Sequence, residues 1–180
     1  PMGSTVNQTD NPRFRVKAVG AFEQKSGCPD YSSTDITKEE IERICKNECY
    51  NPSDKRKNIS RIEVVKITPQ ITQTEPIEKL IFDVWKTFVC NPSQQGCEIE
   101  FEDEDFEDTS RDTIYYVRAI QEPSPVVNGG NLRCTFDKKG ECIKVNICYG
   151  DSRTDKEDNC LTLSEERAWS SPIYVNFTGI

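Results

Sequence analysis

The stretch Thr113-Ile-Tyr-Tyr-Val-Arg-Ala-Ile120 is apolar on both faces, the pattern of a strand held in the middle of a sheet, and Pro123 and Pro125 end it. Half-buried strands flank it in the sequence. Phe14, Val16 and Ala18 alternate with Arg15 and Lys17; Ile62, Val64 and Lys66 alternate with Glu63, Val65 and Ile67. Ile143, Val145 and Ile147 alternate with Lys144 and Asn146, and Ile173, Val175 and Phe177 with Tyr174 and Asn176. Only one helix is strongly signalled. Thr37 precedes Lys38 to Cys45 as an N-cap, Glu40 is its capping-box partner, Ile41, Ile44 and Cys45 share a face, and Asn51-Pro52 stops the run. Pro76 to Phe82 reads as a second short helix or as extended chain. Many strands between Pro/Gly/Asn loops with one or two short helices predict a mainly β, antiparallel, sandwich-like domain.

Composition places this fold in an oxidising compartment. Nine cysteines and no histidine occur in 180 residues. That cysteine content is below the roughly 8–10 % of a pure disulfide scaffold, so disulfides are expected to staple a hydrophobic core and not to replace it. Cys134 and Cys142 flank the turn signal Asp137-Lys-Lys-Gly140 and would face each other across a hairpin. Cys90 and Cys97 enclose a Pro/Gly loop, and Cys148 and Cys160 bracket a polar acidic one. Cys28 is left to join Cys45 or Cys49, with one cysteine over. Zinc is the rival reading, but only Cys45/Cys49 has metal-ligand spacing. A catalytic thiol would lack its usual histidine base.

The net charge is −8, which disfavours nucleic acid and anionic membrane surfaces, both of which call for clustered Lys and Arg. No apolar run reaches the ~20 residues of a membrane span; Leu80 to Cys90 is broken by Asp83 and Lys86. Pro1-Met2-Gly3-Ser4 reads as a cloning remnant, so residues 1–10 are expected to be disordered and 11–180 to form a single domain cut from something longer.

Candidate chemistry is sparse. Glu100 to Asp108 is nearly all acid, which makes Asp103, Asp105 and Asp108 Ca²⁺ candidates; Asp151 and Asp155 belong to a second acidic loop. A solvated loop is the plainer reading of each, with Phe101 and Phe106 as anchors in the first. No motif selects two of the carboxylates for glycosidase chemistry, and no histidine is present for a serine triad or a metalloprotease helix. Tyr115, Tyr116, Trp169 and Tyr174 read as core aromatics or, alternatively, as a platform for sugar or peptide. Asn7, Asn58 and Asn176 lie in N-x-S/T sequons, and Asn128-Gly-Gly-Asn131 reads as a turn.

Several strings together resemble one family. They are Gly20-Ala-Phe22, Gly27-Cys-Pro29, Asn47-Glu-Cys-Tyr-Asn-Pro-Ser-Asp54, Ile62-Glu-Val-Val-Lys-Ile-Thr-Pro-Gln70, Arg111 to Pro125, and Glu166-Arg-Ala-Trp-Ser-Ser-Pro-Ile173. From about Asn11 to Phe177 the chain resembles the C-terminal part of a bacterial family of unknown function whose longer members look like exported metal-dependent hydrolases of the polymerase-and-histidinol-phosphatase type. The resemblance implies a non-catalytic, exported domain that braces or caps an upstream catalytic barrel, its partner in the same chain. It implies a divalent metal in that barrel, held by histidines and acids, and no cofactor in this part. Cys28, Cys49, Cys90, Cys97, Cys148 and Cys160 match the family's cysteine segments, which implies structural disulfides. A stand-alone extracellular binding module with a Ca²⁺-dependent acidic loop is the alternative.

Overall fold

The computed structural model describes residues 1–29, 36–45, 49–129, 133–149, 151–158 and 160–179, apart from the side chains of Glu42 and Cys45. In chain order the strands are β1 (Thr5–Gln8), β2 (Arg13–Ala18), β3 (Phe22–Gln24), β4 (Pro52–Arg56), β5 (Ile59–Ile67), β6 (Ile81–Val89), β7 (Cys97–Glu102) and β8 (Thr113–Gln121). They continue as β9 (Ser124–Val127), β10 (Cys134–Phe136), β11 (Cys142–Val145), β12 (Leu161–Ser164), β13 (Arg167–Trp169) and β14 (Ile173–Phe177). The helices are α1 (Lys38–Cys45) and α2 (Phe106–Thr109). The chain is mainly β and disulfide-stapled.

The stretch read as a central strand is β8, at the centre of a six-stranded sheet ordered β1-β14-β8-β5-β6 with β13 also on β8. Pairing fixes which side chains share a face. Ile62, Val64 and Lys66 of β5 lie opposite Ala119, Val117 and Tyr115, and these form the inner face. A second layer, the β2–β7 pair, covers that face. Its register sets Phe14 opposite Phe101, Val16 opposite Ile99 and Ala18 opposite Cys97, so that Arg13, Arg15 and Lys17 face outward opposite Glu102, Glu100 and Glu98. Two core clusters result: Ile59, Ile62, Cys90 and Cys97 at one end, Phe106, Tyr115 and Val175 at the other. Full burial of each large apolar side chain contributes about 1.5–3 kcal/mol.

The disulfides join Cys28–Cys49, Cys90–Cys97, Cys134–Cys142 and Cys148–Cys160, with Cα–Cα distances of 4.9, 5.8, 5.4 and 5.5 Å. Cys49 is bonded to Cys28 and so is not free to form the Cys45/Cys49 zinc pair, while the side chain of Cys45 lies outside the described residues. Four disulfides indicate an oxidising environment, and no described helix is long and apolar enough to cross a membrane.

Several expectations need correcting. Residues 1–10 are not wholly disordered: Thr5–Gln8 pairs in parallel with β14, supplying a ladder to what would otherwise be that strand's open edge. Helix α1 has its capping box, with the Thr37 N–H donating to Glu40 Oε2 (3.0 Å) and the Glu40 N–H to Thr37 Oγ1 (3.3 Å), but Ile44 is exposed and not buried on a core face. Pro76 to Phe82 is divided between one 3₁₀ turn, Ile77–Lys79, and the start of β6. The alternation at Ile143 and Val145 does mark a strand, β11, although Ile143, Val145 and Ile147 are all exposed. At Asn128-Gly-Gly-Asn131 the Gly129 N–H donates to the Val126 carbonyl (3.3 Å), while residues 130–132 lie outside the described residues.

Candidate functional site

The second layer is narrower than the first, and the mismatch makes the principal concavity. Beside β2 the inner face of the six-stranded sheet is only partly covered. The slot there has a volume of about 610 Å³, with Val117, Ala119 and Ala168 as its floor. One wall is β2 (Val16, Ala18), the other the edge of β13; Met2 stands at the mouth. A second cavity of about 410 Å³ continues along Arg13 to Lys17 towards Ser170 and Ile173. The floor is open because its residues are small: Ala168 lies opposite Ala119, so neither projects a bulky group into the gap.

Polar contacts close one end of the slot. Gln121 Oε1 accepts from the Ala21 N–H (2.5 Å), and its Nε2 donates to Glu166 Oε2 (3.0 Å). Lys57 Nζ lies 2.7 Å from the same Glu166 oxygen. The Arg56 guanidinium donates to the Gly20 carbonyl (2.8 Å) and stacks 3.8 Å from the Phe22 ring centroid. A Cβ on Gly20 would come within 1.8 Å of the Lys57 carbonyl oxygen, so this crossing requires glycine. Just beyond, the Glu122 carboxylate accepts from the Asn58 backbone N–H (2.8 Å) and Nδ2 (3.1 Å), which hold it below the ordinary glutamate range.

The acidic run is not the solvated loop expected. Glu98, Glu100 and Glu102 belong to β7, and Phe101 and Phe106 are core. Asp103 is fully buried. Its Oδ2 lies 2.5 Å from Lys66 Nζ and accepts from the Tyr115 hydroxyl at 2.5 Å, while its Oδ1 accepts from the Asp105 N–H at 3.3 Å. Burial first, then the Asp103 carboxylate, pushes the Tyr115 phenol well above its usual range. Lys66 Nζ also sits 5.0 Å from the Trp85 ring centroid. A carboxylate whose partner is already a buried ammonium has no cation left to seek, and Asp103 is a structural acid. Its signal in the sequence was Lys66, which shares the alternation of Ile62 and Val64 and therefore needs a buried counter-charge.

The other calcium candidates fall in two separate places. Asp105 and Asp108 line a separate cavity with Lys66, Lys79 and Arg111. The Asp151 carboxylate is held by Arg153 (2.7 Å), and Asp155 Oδ1 accepts from the Glu157 N–H (3.0 Å). Among the described residues, one group of three residues able to ligate a metal gathers within 4.8 Å, Cys148, Asp158 and Cys160. Both sulfurs there form a disulfide, and Arg133 holds Asp158.

The four aromatics part company. Tyr115 is core, whereas Trp169 is 61 % and Tyr174 43 % exposed. Pairing with Arg118 and Ile114 puts these last two on the outer face of the large sheet. That face carries a network of paired charges: Arg61 pairs with Glu165 (2.7 Å) and Glu63 (2.8 Å), and Arg118 with Glu63 (2.9 Å) and Asp83 (2.5 Å). Arg61 holds the Glu165 carboxyl below its usual range. No protein-family model, curated protein or solved structure matches this chain.

Proposed function

We propose that this chain is a non-catalytic C-terminal domain of an exported metal-dependent-hydrolase-like protein, and that it braces or caps the upstream domain through the slot beside β2. One observation carries the reading. A six-stranded sheet is covered by only two strands, leaving an apolar slot open where the N-terminal residues enter the molecule. Apolar surface of this kind is stabilised when another element covers it. Three of the six strings behind the family resemblance contribute to the slot. Arg111 to Pro125 contains β8, Glu166 to Ile173 contains β13, and Gly20-Ala-Phe22 begins at the closed end. The chain has no histidine, so a histidine-ligated metal would belong to the upstream domain, where a divalent ion would supply Lewis-acid chemistry.

The test uses the longer protein. Its upstream sequence should encode a His/Asp cluster. Ala168→Glu places a charge on the exposed slot side of β13; it should leave the isolated domain's melting temperature unchanged while uncoupling the two domains' unfolding in the longer protein. An upstream sequence without such a cluster, or coupled unfolding that survives the substitution, overturns the reading. The Ca²⁺-dependent binding module finds no support in the placement of Asp103, Asp151 or Asp155.

A further inference from the structure

We propose that the slot receives an extended peptide segment as an added strand on the open edge of β2, with apolar side chains turned inward and acidic ones outward. The inference rests on the slot being a docking surface and not on the hydrolase nature of what docks.

Strand β2 is laddered on one edge only, to β7. Among the described residues its other edge makes no backbone hydrogen bond. An unpaired edge is a template for a further strand. Its six residues offer a ladder of about 20 Å at ~3.3 Å per residue. The two cavities run along that same edge, above Val117 and Ala119. The missing element is therefore strand-shaped, and it would widen the second layer over the face now only partly covered.

The chemistry of the segment follows from what β2 already accepts. On its paired edge, β7 reads Glu98-Ile-Glu-Phe-Glu102: Ile99 and Phe101 point into the core beside Val16 and Phe14, and the glutamates lie outward opposite Arg13, Arg15 and Lys17. A strand on the open edge would flank the same two rows. Its inward residues would meet Val16, Ala18 and the small floor residues. Its outward residues would meet cations, for Arg13 and Arg15 have side chains 81 % and 71 % exposed despite their glutamates, and Lys17 holds no carboxylate among the described residues. Opposite charges directly across strands are favourable and like charges are not. A sugar chain suits the slot poorly. Gln121 and Glu166 are bonded to each other, so hydroxyl groups over the aliphatic floor would be desolvated without partners.

The probe is the acetylated, amidated hexapeptide Glu-Ile-Glu-Phe-Glu-Ile, read by amide hydrogen exchange and calorimetry on the intact chain. Exchange across residues 13–18 should slow at least tenfold at saturation. Replacing the three glutamates with lysine should weaken binding at least tenfold, as should Lys17→Glu or Ala168→Glu in the protein. N-methylation of the peptide amides that face β2 should abolish binding. Equal binding of the lysine or N-methylated peptide, or unchanged exchange over 13–18, overturns strand addition. If the peptide binds as expected but the slot is open in the longer protein, the upstream-docking reading fails alone. If the longer protein shields the slot and the peptide does not bind, strand addition fails alone.

Discussion

Asp103 and Glu122 look alike in the sequence, as two acids among many, and the fold puts them to different uses. Asp103 balances a buried ammonium and accepts the Tyr115 hydroxyl. Asp103→Leu removes the partner of Lys66 and leaves an uncompensated buried charge, at a cost of about 3–5 kcal/mol. Adding Lys66→Met should recover part of that loss, because no lone charge then remains. Tyr115→Phe should cost about 1.5–3 kcal/mol, the range for a hydrogen bond to a charged group. Urea unfolding of the three variants checks the ranking, and a double variant no more stable than Asp103→Leu would contradict it. Glu122 gives a pH-dependent counterpart. Its folded-state pKa is depressed below 4.5 by the Asn58 N–H groups. Its carboxylate therefore stabilises the fold above that value, and the contribution is lost as pH falls through the folded-state pKa. The stability gap between the native chain and Glu122→Gln should be open at pH 7 and narrow towards pH 3; a gap that stays constant refutes the assignment.

At the scale of elements, the β2–β7 pair depends on the turn that feeds it. Gly96 has φ +89°, and a Cβ there would lie 2.1 Å from the Ala18 carbonyl oxygen. Gly96→Ala should cost more than the about 1–3 kcal/mol of left-handed backbone alone, since Ala18 must also move. A thermal melt within a degree of the native chain would show that the crossing is not tight. The strands themselves were legible where pattern and burial agree: β2, β5 and β14 follow from their alternation, and β8 from a run apolar on both faces. Strand β11 was legible in the same way, but its exposure was not, because period reports pleat and not which face finds a partner. The acidic run misled for a related reason. Composition marked it as solvent-facing, whereas β pairing spread its glutamates along one side of a strand and buried Asp103 at its end. The slot was not legible at all, since it arises from strands absent beside β2 and from small residues brought together by β8 and β13.

For the whole molecule, the unequal widths of the two layers are the organising fact. A complete sandwich would bury both inner faces, and this one leaves part of the larger sheet open at the point where the chain enters. The outer face has its charges mutually paired, while the slot offers an aliphatic floor, an unpaired strand edge and a basic rim. Such a surface is what the proposed docking against another element would cover. The most direct measurement is amide hydrogen exchange over residues 13–21, made on this chain alone and on a longer protein carrying the proposed upstream domain. Slowed exchange across β2 in the longer protein, with β5 and β8 unchanged, is the expected result. Identical exchange in the two would mean that the slot stays open and that the domain docks through some other surface or not at all.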